Sequence, residues 1–241
     1  MTSIRSAPIR RIARRGDARP RALRPAEPPE APRRAVNVAV AAVGILLTAP
    51  VMAAIALLIK VTSAGPVFYR QARVGLDRRG PRPPEENNRR HTDYGGRLFT
   101  IYKFRTMAVT EPGVRDGEVW ATPNDPRVTP LGRILRLYRL DELPQLLNVL
   151  RGDMNIVGPR PEQPTIFARL RTQVERYAER QRVRPGITGW AQVNQQYDRS
   201  IDDVHRKVAF DLEYIARRCV VEDLKIMLRT FPVVALRRGA W

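Results

Sequence analysis

The chain has 241 residues and a formal net charge of +19, from 43 Lys and Arg residues against 24 Asp and Glu residues. Such a charge favours an anionic partner, namely a nucleic acid, a phosphorylated substrate or acidic lipid headgroups. A single cysteine excludes an internal disulfide framework, and two histidines, His91 and His205, are too few and too far apart for a zinc site.

The first 34 residues form a strongly basic segment. They carry ten arginines and six prolines against three acidic residues, without apolar periodicity. These features predict a disordered tail over residues 1–34. A solvated tail and a polybasic arm lying on anionic membrane lipids are both open, and the apolar segment that follows favours the arm.

Residues 35–59 contain no charged side chain, and about 20 apolar residues suffice to span a bilayer. A secretory signal peptide is disfavoured because the apolar run is too long and has no clear cleavage pattern. Pro50 predicts a kink, and each half alone is too short to cross. Because basic residues flank both ends, we expect a re-entrant membrane helix hairpin over residues 35–60, broken at Ala49-Pro50, with Thr48 covering the freed backbone groups. A single kinked span is the alternative.

Two strands are predicted next. Residues 67–69 form a short strand after a Ser-Ala-Gly-Pro turn, and residues 97–107 form a longer one. In the longer strand Lys103 and Arg105 share a face, so they either line a solvated edge or reach one anion together. The polar residues 76–97 are expected to form a surface insertion.

The rest of the chain is predicted to be mostly helical. Leucines recur at helical spacing over residues 143–150, so a helix is expected there, with Asp141 at its N-cap and Pro144 in its first turn. Further helices are predicted over residues 163–181, 201–217 and 220–236, with a loop over residues 182–194.

The last predicted helix has an apolar face and a basic face. It therefore suits either a position in the membrane interface or packing on the core, and the sequence leaves both open. The predicted fold class is α+β and mostly helical. It consists of a small cytoplasmic α/β domain over residues 61–241, an N-terminal re-entrant membrane helix and interfacial amphipathic helices.

Asp141 and Glu142 form an acidic pair within a basic region. By itself such a pair is most often a helix start, where Asp caps and Glu complements the dipole. Arg136 lies upstream, and Arg160 lies in a turn stiffened by two prolines, where it suits a phosphate clamp. A carboxylate at a helix N-terminus is expected to stay ionised, as a nucleophile requires, and its neighbour can help to hold Mg²⁺.

Five sequence blocks, in this order after an apolar segment, resemble the bacterial sugar transferase family, the monotopic polyprenol-phosphate phosphoglycosyl transferases. The resemblance covers about residues 35–236. The blocks are KVTSAGPVFYRQARVG, FTIYKFRTM, TPNDPRVTPLGRILR, LDELPQLLNVLRGDMNIVGPRPE and RPGITGWAQVN.

The resemblance implies an enzyme that moves a sugar 1-phosphate from a UDP-sugar to undecaprenyl phosphate and releases UMP. It implies a ping-pong scheme with a covalent phosphosugar on Asp141, with Glu142 as the partner acid and Mg²⁺ at the pair. It places Arg136, Arg160, Lys103 and Arg105 near the phosphates. It also implies a first membrane step of exopolysaccharide, O-antigen or glycan assembly at the cytoplasmic face of the bacterial inner membrane.

A loop signature of the family matches the block at residues 185–194 and is assigned to the donor side. Its residues are Pro185, Gly186, Thr188, Gly189, Gln192 and Asn194. The expected partners are the UDP-sugar, undecaprenyl phosphate and anionic lipids, without nucleic acid. The oligomeric state stays open, with a dimer as one option. The membrane break reads Ala49-Pro50 without the family's usual serine, and the chain resembles the minimal form of the family.

Two other function classes are weighed. A membrane-tethered basic protein that binds nucleic acid or lipid would suit the charge, but would need no carboxylate pair. A metal-dependent glycosyltransferase acting through Asp202-Asp203 would release UDP rather than UMP, and this pair has the pattern of an exposed helix start.

Overall fold

The computed structural model describes residues 30–77, 95–108, 125–195 and 200–235. The helices and strands of the described residues are α1 (Glu30–Thr62), β1 (Phe68–Val74), β2 (Leu98–Phe104), α2 (Pro130–Leu137), α3 (Gln145–Arg151), β3 (Asn155–Val157), α4 (Pro164–Gln173), β4 (Gly186–Thr188), α5 (Trp190–Asn194), α6 (Ile201–Arg217) and α7 (Val220–Ala235). Two 3-10 turns, Leu140–Glu142 and Tyr177–Arg182, join these elements. The mostly helical α+β class is confirmed.

The two predicted strands form one antiparallel hairpin. β1 pairs with β2 from Phe68 opposite Phe104 to Val74 opposite Leu98, and the rings of Phe68 and Phe104 stack with centroids 5.5 Å apart. β1 is longer than predicted because the alternation continues through polar residues to Val74, which is buried. Most of the predicted insertion between the strands, residues 78–94, lies outside the described residues.

A second, parallel pair of strands was not predicted. β3 pairs with β4, with Asn155 opposite Gly186 and Val157 opposite Thr188. Each strand has three residues, too few for an alternating pattern. A Cβ on Gly186 would lie 2.1 Å from the backbone nitrogen of Gly158, so only glycine permits this approach. The predicted loop over residues 182–194 thus contains β4 and α5.

α1 packs against the rest of the described structure along both of its halves. Ala41 is buried in one apolar cluster with Val149 and Met154, while Ile59 is buried in another with Phe104. By length and composition, α1 is long and apolar enough to cross a membrane. Most of its central residues, Leu46 and Leu47 among them, are exposed in the structure.

α1 begins earlier in the chain than the predicted boundary between the tail and the apolar helix. Residues 30–34 belong to the first turn and a half of α1, because Arg33 is buried against Asp223 and Arg34 donates to the carbonyl of Val149. The earlier part of the predicted tail, residues 1–29, lies outside the described residues.

The structure corrects the prediction for Thr48 at Pro50. Pro50 lies inside a helix of 33 residues rather than between two separate helices. Proline frees the carbonyl four residues earlier, that of Leu46, whereas the Thr48 hydroxyl donates to Gly44 at 2.6 Å. Thr48 therefore does not cover the freed group. Its bond to the preceding turn instead favours bending at the same place as Pro50.

The predicted helix over residues 163–181 is divided in two. α4 ends at Gln173, Val174 is extended, and Arg176 has a left-handed φ of 60°, which interrupts helical hydrogen bonding before the second 3-10 turn. The predicted apolar side chains still form a core. Phe167, Tyr177 and Val208 are buried together in one cluster.

α6 begins and ends at the predicted residues, and α7 nearly so. Ser200 and Asp203 form a capping box at the start of α6, which confirms that Asp202-Asp203 is a helix start. On α7, Leu228 is 71% exposed and Phe231 is 77% exposed. Ile226 of the same helix is buried in the core, and Met227 packs against it, so α7 packs on the core and also exposes apolar residues.

Candidate active site

The two carboxylates lie in the 3-10 turn Leu140–Glu142, between α2 and α3. The prediction that Asp141 caps a helix is wrong, since α3 begins only at Gln145, after Pro144, and Asp141 makes no capping hydrogen bond. The turn is possible because Arg139 adopts a left-handed conformation with φ 54°. A non-glycine residue in this region costs roughly 1 kcal/mol or more, and such strain is frequent at functional sites.

Glu142 is held by two cations. Lys103 Nζ lies 2.8 Å and Arg160 Nη2 lies 2.9 Å from the same oxygen, Oε1. Burial alone raises the pKa of the Glu142 carboxyl, but Arg160 and Lys103 outweigh burial, and the net effect lowers its pKa far below the usual range. Glu142 is therefore a fixed negative charge whose Oε1 atom is engaged.

Asp141 is less engaged than Glu142. Lys103 Nζ lies 3.7 Å from Asp141 Oδ2, beyond hydrogen-bond distance. Burial raises the pKa of the Asp141 carboxyl, with Glu142 adding to this and Lys103 opposing it. The helix-dipole argument for an ionised Asp141 is thus not supported, because a 3-10 turn of three residues provides little dipole and the side chain is buried.

Arg160 is positioned from two sides. Its Nη1 donates to Oε1 of Gln192 at 3.2 Å, and its carbonyl accepts from Nη2 of Arg180 at 3.1 Å. Arg180 is fully buried and pairs with Asp211 at 2.6 Å. The turn after β3 is thereby held by α6, so the guanidinium of Arg160 reaches Glu142 from a rigid support.

The two other predicted phosphate-binding arginines contact neighbouring loops. Nε of Arg136 donates to the Thr106 hydroxyl at 2.9 Å, and its charge still acts on Asp141. Arg105 is buried, and its described hydrogen bonds go to Ser63 and Ala64 in the turn after α1. These bonds give Arg105 a structural role, and its predicted binding of phosphate stays a prediction.

The predicted donor block mostly builds the support of the site. Pro185 precedes β4 and Gly186 begins it, while the Thr188 hydroxyl contacts Thr230 of α7. Gly189 precedes α5 as its N-cap, and the Asn194 side chain donates to the carbonyl of Trp190. Of this block, Gln192 contacts Arg160. The donor assignment of the block stays a prediction.

Two residues of the site were missed from sequence. The charge of Arg139 contributes to lowering the pKa of Glu142. Asn148 is fully buried, and its side chain bonds both the nitrogen of Tyr102 and the carbonyl of Thr100, so it ties α3 to the strand that carries Lys103. Asn148 could have been identified from its position in the sequence, as a polar residue on the buried face of a leucine-rich helix.

The donor set of the pair fits Mg²⁺ rather than a metal that needs a full protein cage. Among the described residues, no three His, Cys, Asp or Glu side chains gather around one point. Mg²⁺ is commonly bound by one or two carboxylates, with water and substrate phosphates completing the octahedron. Asp141 and Glu142 supply that minimal set.

Comparison with known proteins gives consistent matches. The family described as "Bacterial sugar transferase" matches residues 29–237. The chain is 41% identical over 201 residues to a UDP-glucose:undecaprenyl-phosphate glucose-1-phosphate transferase of Escherichia coli (strain K12), covering 82% of this chain and 39% of that protein.

Two shorter relatives match over most of their length. A UDP-glucose:undecaprenyl-phosphate glucose-1-phosphate transferase of Caulobacter vibrioides is 39% identical, with 87% of this chain and 72% of the relative covered. The exopolysaccharide production protein ExoY of Rhizobium meliloti is 35% identical, with 87% and 88% covered. The chain spans about two fifths of the length of several other relatives it matches.

Proposed function

The chain belongs to the bacterial sugar transferase family, and from this premise we propose that it transfers a sugar 1-phosphate from a UDP-sugar to undecaprenyl phosphate, releasing UMP. The observation that carries the proposal is the buried carboxylate pair Asp141-Glu142, with Lys103 and Arg160 directly on it. These relatives are named as undecaprenyl-phosphate sugar phosphotransferases, and their names support the substrate classes.

The two carboxylates have different roles. Glu142 accepts from both Lys103 and Arg160 through one oxygen, so that oxygen is not available for attack. Asp141 Oδ2 has Lys103 nearby at 3.7 Å but no hydrogen bond to it. Asp141 is therefore the nucleophile, and Glu142 holds the cations that bind the donor's phosphates. The resemblance to the family assigns the same roles.

The reaction proceeds in two displacements at one phosphorus atom. A carboxylate oxygen of Asp141 forms a bond to the β-phosphorus of the UDP-sugar, and the bond to the bridging oxygen breaks, so that UMP leaves with its electron pair. A phosphate oxygen of the lipid acceptor then attacks the same phosphorus. The Asp141 carboxylate is released, and the product is a lipid-linked diphosphosugar. Each step exchanges one P–O bond for another, and no oxidant or reductant is needed.

Mg²⁺ bound at Asp141 and Glu142 would neutralise charge on the diphosphate and improve UMP as a leaving group. The protein contributes positioned cations of its own. Lys103 is held on β2, while Arg160 is fixed by Gln192 and Arg180. Fixed cations stabilise the charge that develops on the transferred phosphoryl group without reorganising during the reaction.

The location is proposed to be the cytoplasmic face of the bacterial inner membrane, with α1 re-entrant. Arg34 near its start bonds α3, and Ile59 near its end packs with β2, so both ends of α1 contact one body. A helix that crossed the bilayer would place its ends on opposite sides. The exposed apolar residues Leu46 and Leu47 near the middle of α1, and Leu228 and Phe231 on α7, would contact lipid.

Release of UMP tests the proposal. The purified protein would be incubated with a panel of UDP-sugars, undecaprenyl phosphate and Mg²⁺. Asp141→Asn is expected to lower UMP release by at least about a thousandfold, because the amide cannot act as the nucleophile. Asp202→Asn, an exposed acid at the start of α6, is the matched control and should retain activity.

Three outcomes would contradict the proposal. No UMP from the wild-type protein with any donor would refute the activity, and a substantially active Asp141→Asn variant would refute the nucleophile. Release of UDP that depends on Asp202 would instead favour the metal-dependent glycosyltransferase.

A further inference from the structure

A cavity of about 260 Å³ opens beside Glu142 and is lined by both polar and aliphatic side chains. Its polar end is defined by Glu142 and Gln192, which both contact Arg160, together with Arg139. The remaining wall is mostly aliphatic, from Leu140, Leu143, Leu146, Ile187, Val193 and Val233. A ligand that fits both ends carries a phosphate or another anion at one end and a hydrocarbon chain directly attached to it.

The two threonine hydroxyls along the apolar wall are already bonded within the protein. The Thr230 hydroxyl donates to the carbonyl of Ile226 at 2.8 Å, so the Thr188 hydroxyl, 2.8 Å from Thr230, is the donor of that contact. Both hydroxyl hydrogens are therefore used inside the fold. A sugar or a nucleobase placed here would lose hydrogen bonds to water without gaining these donors, whereas a hydrocarbon loses none.

The cavity also lies against the two elements that carry exposed apolar surface. Leu146 packs beside Gly44, in the middle of α1. Thr230 and Val233 belong to α7, where the neighbouring Phe231 is exposed. A chain that leaves the cavity along α7 thus continues over apolar surface rather than into a polar environment.

We infer that this cavity binds the first isoprene units of the prenyl phosphate acceptor, with the acceptor phosphate at Arg139 and beside the Arg160 that Glu142 and Gln192 hold. The inference rests on the proposed function for the identity of the acceptor, and it adds where the acceptor's chain lies. The inference also assigns two different roles to residues of the loop signature at 185–194. Ile187 and Val193 face the acceptor chain, while Gln192 supports Arg160 at the phosphates.

The first test measures binding without turnover. Farnesyl phosphate would be titrated into the detergent-solubilised full chain by calorimetry, in the absence of a UDP-sugar. Val233→Trp fills the apolar end and should weaken binding about tenfold or more, since excluding even two chain carbons from an apolar site costs about that factor. Val221→Trp makes the same change on an exposed residue of α7 and should leave binding unchanged.

A gentler variant and a kinetic measurement make the result independent of misfolding. Val233→Thr keeps the side-chain shape but buries a hydroxyl against the hydrocarbon chain, so it should weaken farnesyl phosphate binding about fivefold. In steady-state UMP release, both Val233 variants should raise KM for the lipid acceptor and leave KM for the UDP-sugar within about twofold.

The possible outcomes distinguish a failure of the acceptor-site inference from a failure of the proposed activity. A higher KM for the UDP-sugar with unchanged farnesyl phosphate binding would overturn the inference and assign the cavity to the nucleoside. Unchanged binding and kinetics in both Val233 variants would also overturn it. Weakened farnesyl phosphate binding in a protein that releases no UMP would support the cavity while refuting the proposed transfer.

Discussion

Arg33 and Asp223 form a buried ion pair that joins the start of α1 to α7, and its two partners should respond differently to substitution. Arg33 is 4% exposed and Asp223 is 2% exposed, with Nε to Oδ2 at 3.0 Å. The Tyr214 hydroxyl completes the network, 2.6 Å from Arg33 Nη2 and 2.7 Å from Asp223 Oδ1. Asp223→Asn leaves a buried guanidinium that cannot lose its proton.

The expected cost of Asp223→Asn is about 3–5 kcal/mol, the usual effect of leaving one charge of a buried pair without its partner. For a chain of this size each kcal/mol moves the melting temperature by roughly 2–4 °C, so a fall of roughly 6–20 °C is expected. Arg33→Met should cost less. Burial already raises the pKa of Asp223, so this carboxyl can take up a proton when Arg33 is removed.

Thermal unfolding in detergent, followed by circular dichroism between pH 5 and 8, distinguishes the two variants. An acid whose pKa is raised in the folded state binds protons more readily when folded, so Arg33→Met should become more stable as the pH falls. The combined variant Arg33→Met/Asp223→Leu should recover much of the loss. Equal losses for both single variants at all pH values, or additive losses in the combined variant, would refute this account.

Two further predictions concern Glu162 and a pair of glycines. Burial alone raises the pKa of Glu162, but Lys207 and Arg180 outweigh burial and lower the pKa from 4.5 to about 2. The difference in pKa between the unfolded and folded states stabilises the fold by about 3 kcal/mol above pH 4.5. This contribution is lost as the pH falls towards 2. Glu162→Gln should therefore flatten the acid dependence of the denaturation midpoint, and an unchanged slope would contradict the ion-pair assignment. Gly132→Ala would place a Cβ 2.0 Å from the Thr106 carbonyl oxygen and should cost about 1–3 kcal/mol, whereas Gly44→Ala meets only the flexible end of Leu146 at 3.2 Å and should be tolerated. Equal melting temperatures for the two alanine variants would contradict this prediction, because they would show that the Thr106 backbone shifts to accommodate the added methyl group.

The elements with a strong local pattern were predictable from sequence. The apolar run of α1, the alternation in β2 and the helical period of α6 each depend on many residues, and all three elements are found. The elements that were missed depend on few residues and on distant contacts. β3 and β4 have three residues each and form only because Gly158 and Gly186 let two chain segments meet.

The chemistry of the site was more predictable than its geometry. Glu142, Lys103 and Arg160, which were predicted from residue types and family resemblance, are in direct contact. The conformation of the acidic turn was not predictable, because it depends on the left-handed Arg139 and on Pro144, which delays the start of α3. The upward direction of the pKa shift at Asp141 was likewise not predictable, since it comes from burial, which depends on packing that the local pattern does not contain.

The contacts of α1 explain how a helix suited to the bilayer can set the position of the carboxylate pair. Arg34 donates to the carbonyls of Val149 and Leu150, the last acceptors of α3, and so caps the end of α3 that faces away from Asp141. Asn37 accepts from the nitrogen of Ile156 and thereby holds β3, which leads to Arg160. Glu142 precedes α3 and Arg160 follows β3, so the contacts of α1 with these two elements support both sides of the site. A displacement of α1 relative to α3 and β3 would therefore change the distance between Glu142 and Arg160.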